Sequence, residues 1–345
     1  MANQPGLEKV CIIGSGNWGS TIAKIIGNNV MKLDNLDKQV TMWVYEELIE
    51  GRKLTEIINT EHENVKYLPG IRLPANVKAV PDILDAARDA STLVFVTPHQ
   101  FIGGLCKSLK GNIRPDCKAI SLVKGVHFDT AEITLISDLI SQELGIQVCT
   151  LSGANIASEI AREEFSETTI GFKDAKNGEL FKQLFHTPYF RVNLVQDVHG
   201  VELCGALKNI VAIAAGLIDG MGLGSNTKAA VIRIGLMEMK LFAEAFLDGV
   251  CDKTFFDSCG VGDIMTTCYG GRNRRVAEAF AKTGKSFDEL EKEMLNGQKL
   301  QGTITSFEVH QFLSARNRCH EFPLFDRVYK ICYEGLPVKD IIAEF

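Results

Sequence analysis

The residues best equipped for chemistry in this chain are those whose surroundings give them no ordinary reason to be there. Lys208 comes first. It is the only charge in the run Leu203-Cys204-Gly205-Ala206-Leu207-Lys208-Asn209-Ile210-Val211-Ala212-Ile213-Ala214-Ala215, which is apolar nearly all round, as buried helices are. Cys204, Val211, Ala212 and Ala215 share its face at helical spacing. An ammonium there costs free energy unless it is paired or gives up its proton. A lysine that exchanges its proton readily suits acid–base work. The other reading is a stem packed on apolar surface with its head in water, and the residues weigh the two evenly. Asp263, in Gly260-Val261-Gly262-Asp263, is a candidate pairing carboxylate because its neighbours are small and apolar. Equally, it caps the helix that follows.

Two segments suit anions. Val10-Cys11-Ile12-Ile13-Gly14-Ser15-Gly16-Asn17-Trp18-Gly19 is strand, GxGxxG, then helix. Gly14 permits the tight turn, Gly16 lets a pyrophosphate approach the backbone, and Gly19 lets helix pack on strand. The helix start adds N–H groups and a positive dipole end. A tight turn without a ligand is the plainer alternative. The second segment is Thr266-Thr267-Cys268-Tyr269-Gly270-Gly271-Arg272-Asn273-Arg274-Arg275. A Gly-Gly turn, an arginine and an asparagine at a helix start suit a phosphate. Since the first loop serves the dinucleotide, a second site implies a substrate with its own phosphate. A solvated basic helix start is the alternative here.

The remaining polar candidates lie at strand ends, where open α/β sheets bind ligands. They are Tyr45, Thr97-Pro98-His99-Gln100-Phe101, Lys124-Gly125 and Gly153-Ala154-Asn155. Lys124 follows the apolar run 119–123 directly, as a ligand-binding group or as a solvated loop lysine. His99 reads more readily as a capping or core group than as a catalyst. No HExxH motif or His/Cys cluster points to a metal. At the end of the second strand, Tyr45 stands where an acid contacts the ribose, and Glu46-Glu47 follow it. Two carboxylates repel a 2′-phosphate, so NAD is favoured over NADP. Arg52 and Lys53 are set aside as solvated helix charges.

These groups need a scaffold. Strand patterns fall at 9–13, 40–45, 92–96, 118–122, 148–151, 168–171 and 190–194, and helical ones at 17–26, 83–88, 130–144 and 174–185. That alternation predicts a doubly wound, mainly parallel Rossmann-type sheet. After about residue 195 only helical patterns remain, at 198–218, 227–246, 272–282 and 287–295. The expectation is an α/β chain with a dinucleotide-binding domain over 1–194 and an all-helical domain over 195–345. The 345 residues carry a net charge of −6, which argues against a general nucleic-acid binder. Ten cysteines without a CxxC pair read as reduced, mostly buried thiols of an intracellular protein. The start of the chain shows no signal or transit pattern. The best membrane candidate, 203–218, is too short and carries Lys208.

Taken together, the segments resemble the NAD-dependent glycerol-3-phosphate dehydrogenases of the eukaryotic cytosol. The resemblance rests on Gly14-Ser15-Gly16-Asn17-Trp18-Gly19, Pro98-His99-Gln100-Phe101, Leu122-Val123-Lys124-Gly125, Gly153-Ala154-Asn155-Ile156-Ala157, Gly205-Ala206-Leu207-Lys208-Asn209, Cys268-Tyr269-Gly270-Gly271-Arg272-Asn273 and Asn296-Gly297-Gln298-Lys299-Leu300-Gln301-Gly302. It implies a cytoplasmic homodimer that interconverts dihydroxyacetone phosphate and sn-glycerol 3-phosphate with NAD. It implies that Lys208 is the proton donor to the ketone oxygen, that Lys124 contacts substrate, and that Asn155 and Asp263 are polar neighbours. By the same resemblance Thr267, Arg272 and Asn273 hold the phosphate. Tyr45, Phe101, Ala157, Arg272, Lys299 and Gln301 contact the dinucleotide, with Tyr45 standing where the family has Phe. Two alternatives are a related dehydrogenase of 3-hydroxy acids or sugar acids, and a non-catalytic NADH-binding regulator. Neither needs both anion sites and a buried lysine.

Overall fold

The computed structural model describes residues 7–128, 130 and 132–343. Its sheet has eight strands: β1 (Glu8–Ile13), β2 (Leu36–Trp43), β3 (Val77–Val80), β4 (Thr92–Phe95), β5 (Lys118–Ser121), β6 (Gln147–Ser152), β7 (Ser166–Gly171) and β8 (Phe190–Val195). Their spatial order is β8-β7-β6-β5-β4-β1-β2-β3. β1 pairs in parallel with β2 and β4, so the order reverses direction beside β1. That reversal is where doubly wound sheets bind their ligands.

β1 shows why the sheet is covered on both faces. Side chains alternate across a strand. Val10 and Ile12 enter one apolar cluster with Ile22, Ile25 and Ile26 of the helix Asn17–Val30. Cys11 and Ile13 enter another with Leu93, Phe95 and Ile102. A strand apolar on both faces is the mark of a buried parallel sheet.

The chain divides into two compact units. One comprises Met1–Lys124, Ile136–Leu151 and Asn155–Val198, and the other Gly125–Leu135, Ser152–Ala154 and His199–Phe345. The second is built round the helix Val198–Gly220. Leu203, Leu207, Ile210, Val211, Ala214 and Ile218 of this helix share a core with Phe242, Phe312 and Phe322. The helix is longer than the apolar run in the sequence suggested. It has 23 residues, and its most apolar 18-residue window has a mean hydropathy of 1.7; it is long and apolar enough to cross a membrane, and that window is buried entirely within the protein.

Three local expectations change. The stretch 130–144 is helical only from Ile136 to Leu144. Before it, Val126–Phe128 and Ile133–Leu135 form an antiparallel hairpin. Phe128 holds that hairpin on the second unit's core, 6.0 Å from the Phe242 ring and 6.4 Å from that of Phe312. β2 begins at Leu36, opposite Glu8, and ends at Trp43, so Tyr45 lies in the loop beyond it. Arg52 and Lys53 form an exposed edge of a short hairpin with Leu48–Ile49 rather than part of a helix. Among the described residues no disulfide joins the ten cysteines; most of them are buried, and Cys251 alone is exposed.

Candidate active site

In the first unit the glycine loop is built as its sequence required. Gly14 has φ +122°, and a Cβ there would lie 2.9 Å from the Thr97 methyl. A Cβ on Gly19 would lie 2.3 Å from the Gly14 carbonyl oxygen, so helix and strand touch at this point. At Gly16 a Cβ would meet nothing within 4 Å, and Gly16 caps the helix Asn17–Val30 without a side-chain hydrogen bond. Open space over an uncapped helix start fits a pyrophosphate. Buried Asn64 donates to the Ser15 carbonyl (2.7 Å) and to Ser20 Oγ (2.9 Å), which fixes the loop from behind.

Other candidates in this unit are less plainly available. Tyr45 and Phe101 are exposed, 71% and 56%, as rings waiting for a stacking partner would be. Glu46 accepts from Thr55 N–H (3.2 Å) and Thr55 Oγ1 (2.6 Å) at the start of the helix Leu54–Glu61. Glu47 pairs with Lys66 at 2.6 Å. Both carboxylates beside Tyr45 therefore have structural work. Asn155 donates to the Glu167 carbonyl (2.9 Å) and accepts from Thr168 Oγ1 (2.9 Å), tying it to β7. Ala157 opens the short helix Ala157–Ala161, and its carbonyl accepts from Thr21 of the glycine-loop helix at 3.2 Å. His99 starts an exposed turn, neither core nor cap, and Lys124 is exposed after β5.

In the second unit the lysine and the carboxylate meet. Lys208 Nζ lies 2.5 Å from Asp263 Oδ1, with the two side chains 7% and 3% exposed. The ammonium also donates to Thr267 Oγ1 at 2.9 Å, and Thr267 lies 3.4 Å from the same carboxylate oxygen. Asp263 opens the helix Asp263–Gly270, which puts Thr267 one turn on, on the same face. A π-helical turn, Ser258–Gly262, runs straight into Asp263, a distortion found often at functional sites. The lysine head is paired and buried, not snorkelled to water, and Asp263, the first residue of its helix after the N-cap Gly262, pairs with Lys208.

Beside this trio stands the second anion segment. The helix Arg272–Thr283 begins at Gly271 with no side-chain cap. Asn273 works as a bracket: its amide donates to Asn209 Oδ1 (2.9 Å) and accepts from the Gly302 N–H (2.9 Å). It thereby joins three helices, and Gly302 is forced by closeness, since a Cβ there would lie 2.6 Å from the Asn209 carbonyl oxygen. Arg272 is exposed and gives one N–H to Gln298 at 3.0 Å. Lys299 pairs with Asp288 (2.6 Å) and Glu291 (2.9 Å), and Gln301 donates to Thr305 at 3.3 Å.

Sequence reading passed over Asp219 and Lys228. Asp219 takes Lys228 at 2.7 Å and Arg274 at 2.5 Å, while the Lys228 ammonium lies over the Tyr269 ring at 4.4 Å. Burial would raise the Asp219 carboxyl, but hydrogen bonds from Lys228 and Arg274 hold it below its ordinary range. The group braces the turn that presents Arg272. The available signal was an acid at the end of an otherwise apolar helix.

Residues 9–178 match the model of the NAD-dependent glycerol-3-phosphate dehydrogenase N-terminus, and residues 197–343 match that of its C-terminus. The cytoplasmic glycerol-3-phosphate dehydrogenase [NAD(+)] of Rattus norvegicus is 61% identical over 97% of this chain and 97% of its own. This chain belongs to the NAD-dependent glycerol-3-phosphate dehydrogenase family. Solved structures of the family agree. Glycerol-3-phosphate dehydrogenase from Saccharomyces cerevisiae superposes with a TM-score of 0.95 at 46% identity, over 97% of this chain and 98% of that one. The Plasmodium falciparum enzyme gives 0.94 at 40%, over 99% and 95%. Hydroxy-acid and sugar-acid dehydrogenases, the enzymatic alternative that the sequence left open, are not what these relatives are named for.

Proposed function

We propose that this chain interconverts dihydroxyacetone phosphate and sn-glycerol 3-phosphate in the cytoplasm, with NAD as cofactor. The buried ion pair of Lys208 and Asp263, 2.5 Å apart, carries the reading. When bound, the nicotinamide supplies or takes up the hydride at C2 of the substrate. The glycine loop 14–19 holds the pyrophosphate through the open face at Gly16, and Tyr45 and Phe101 offer exposed rings to the dinucleotide. Lys208 Nζ gives a proton to the C2 oxygen in reduction and takes it back in oxidation. Asp263 holds the ammonium in place, and Thr267 orients it through its hydroxyl.

Arg272 and the uncapped start of its helix receive the substrate phosphate, and Asn273 keeps that start in place. Lys124 and Asn155 take the further substrate contacts, and Ala157, Lys299 and Gln301 the further dinucleotide contacts. The active form is a homodimer. Exposed Met237 and Leu241, one turn apart on the helix Ser225–Phe246, suit a covered face.

The test is NADH oxidation with dihydroxyacetone phosphate, run beside unphosphorylated dihydroxyacetone and with NADPH as control. Rapid oxidation with NADH and the phosphorylated ketone alone is expected. Equal rates on the unphosphorylated ketone would remove the second anion site from the reading.

A further inference from the structure

The spacing of His310, Cys319 and Asp326 matches no metal motif, and the sequence suggested no metal. The fold brings them together. His310 lies near the end of the helix Gln301–Ser314, Cys319 in the turn Cys319–Glu321, and Asp326 in the first turn of the helix Pro323–Tyr333. One donor atom from each lies within 4.8 Å of the other two. We propose that His310 Nδ1, Cys319 Sγ and Asp326 Oδ1 form a Zn2+ site.

Two of the three donor separations suit that ion. Bonds of about 2.3 Å to sulfur and 2.0–2.2 Å to nitrogen and oxygen, at tetrahedral angles, set donors about 3.3–3.6 Å apart. His310 Nδ1 is 3.2 Å from Asp326 Oδ1 and 3.8 Å from Cys319 Sγ. Asp326 Oδ1 is buried and accepts no hydrogen bond, although the imidazole nitrogen is so near. A cation between them would give both atoms a partner.

The surroundings hold the donors in place. Lys330 takes the other carboxylate oxygen, Oδ2, at 2.6 Å. The Tyr329 ring stacks on His310 with centroids 3.6 Å apart and planes 7° from parallel, which fixes the imidazole plane. Arg318 and Glu321 form a two-bond pair, 2.6 and 2.7 Å, across the turn that carries Cys319. Outer groups of this kind orient metal ligands.

A thiolate and an imidazole select Zn2+ over Mg2+ or Ca2+. Thiolate and carboxylate together neutralise the dication. The Lys330 ammonium lowers the affinity without removing a donor. All three residues are partly exposed, although Asp326 Oδ1 itself is buried, so the ion enters from solvent, and water completes the tetrahedron. Bound there, Zn2+ clamps the corner between the two helices and shares no ligand with Lys208 or Arg272.

Co2+ is the spectroscopic probe, added to the full, metal-free chain. One equivalent is expected to give a thiolate-to-cobalt charge-transfer band and the visible bands of tetrahedral coordination, both bleached by one equivalent of Zn2+. Cys319→Ser should abolish the charge-transfer band. His310→Gln and Asp326→Asn should weaken Zn2+ binding at least about 10–100-fold. Cys251→Ser, at the exposed thiol, should change nothing. Absence of the bands in the unaltered chain overturns the site, whether or not the variants fold. So does a charge-transfer band that survives Cys319→Ser or disappears in Cys251→Ser.

Discussion

Replacing Lys208 by Met keeps the apolar stem and removes the ammonium. At 2.5 Å from Asp263, two unit charges attract by about 7 kcal/mol at an effective dielectric constant near 20. Desolvation cancels much of that, and breaking a buried pair from one side costs about 3–5 kcal/mol, because the partner charge stays buried. Against a total stability of about 5–15 kcal/mol, urea unfolding resolves such a loss. Asp263→Asn alone should cost a similar amount. The double variant Lys208→Met/Asp263→Asn removes both charges, so its loss should fall short of the sum by about 2–3 kcal/mol. Activity should follow the opposite rule. Turnover of dihydroxyacetone phosphate, read as NADH oxidation, should drop about 10²–10⁴-fold in Lys208→Met and stay low in the double variant. NADH binding, read by fluorescence, should persist in all three. Turnover within tenfold of the parent in Lys208→Met would refute the lysine as proton donor. Strictly additive stabilities would refute the coupling.

Other consequences are open to the same assays. Gly16→Ala should leave stability within about 0.5 kcal/mol, since its Cβ meets nothing, yet weaken NADH binding at least about tenfold as the methyl enters the phosphate cradle; unchanged affinity would clear Gly16 of that role. Gly19→Ala should instead cost about 1–3 kcal/mol of stability by driving a methyl into the Gly14 carbonyl, which thermal unfolding reads directly. Arg272→Ala should raise the KM for dihydroxyacetone phosphate by the equivalent of about 1.5–3 kcal/mol at constant stability, and an unchanged KM and turnover would remove it from the site. Glu238 accepts from the Leu324 and Phe325 N–H groups (2.8 and 3.0 Å), and burial still raises its pKa from 4.5 to about 7. The folded state therefore holds an extra proton between those values, and stability should decline by up to about 3 kcal/mol as pH rises from 4.5 to 7, then level off. Glu238→Gln should flatten that slope, and an identical slope in the variant would show that another group titrates.

Much of this was legible because periodicity and punctuation agreed. β1, the glycine loop and the helix at Asn17 form one uninterrupted signal, and the apolar run round Lys208 admits only burial. What was misread depended on distant partners. Val77–Val80 is only four residues long with Lys78 inside it, and it becomes a strand by pairing with β2. The hairpin ending at Leu135 borrows its stability from Phe242 and Phe312 through Phe128. The trio of Lys208, Asp263 and Thr267 was half visible: each residue had a plausible local use, and a distance decided between the uses. The convergence of His310, Cys319 and Asp326 left no trace in spacing, because a turn between two helices brings it about.

The helix Val198–Gly220 also has a consequence for the order of synthesis. The most hydrophobic span of the second unit leaves the ribosome before the residues that cover it, Phe242, Phe312, Phe322 and finally Ile341. Ile341 follows roughly 120 residues after Gly220, which at about 5–20 residues per second is a delay of roughly 6–24 s. Over that interval a segment fit for lipid is at first uncovered and then only partly covered. The nascent chain should therefore bind hydrophobic-segment chaperones most strongly at lengths between Gly220 and Phe322, and release them once Pro323–Tyr333 has emerged.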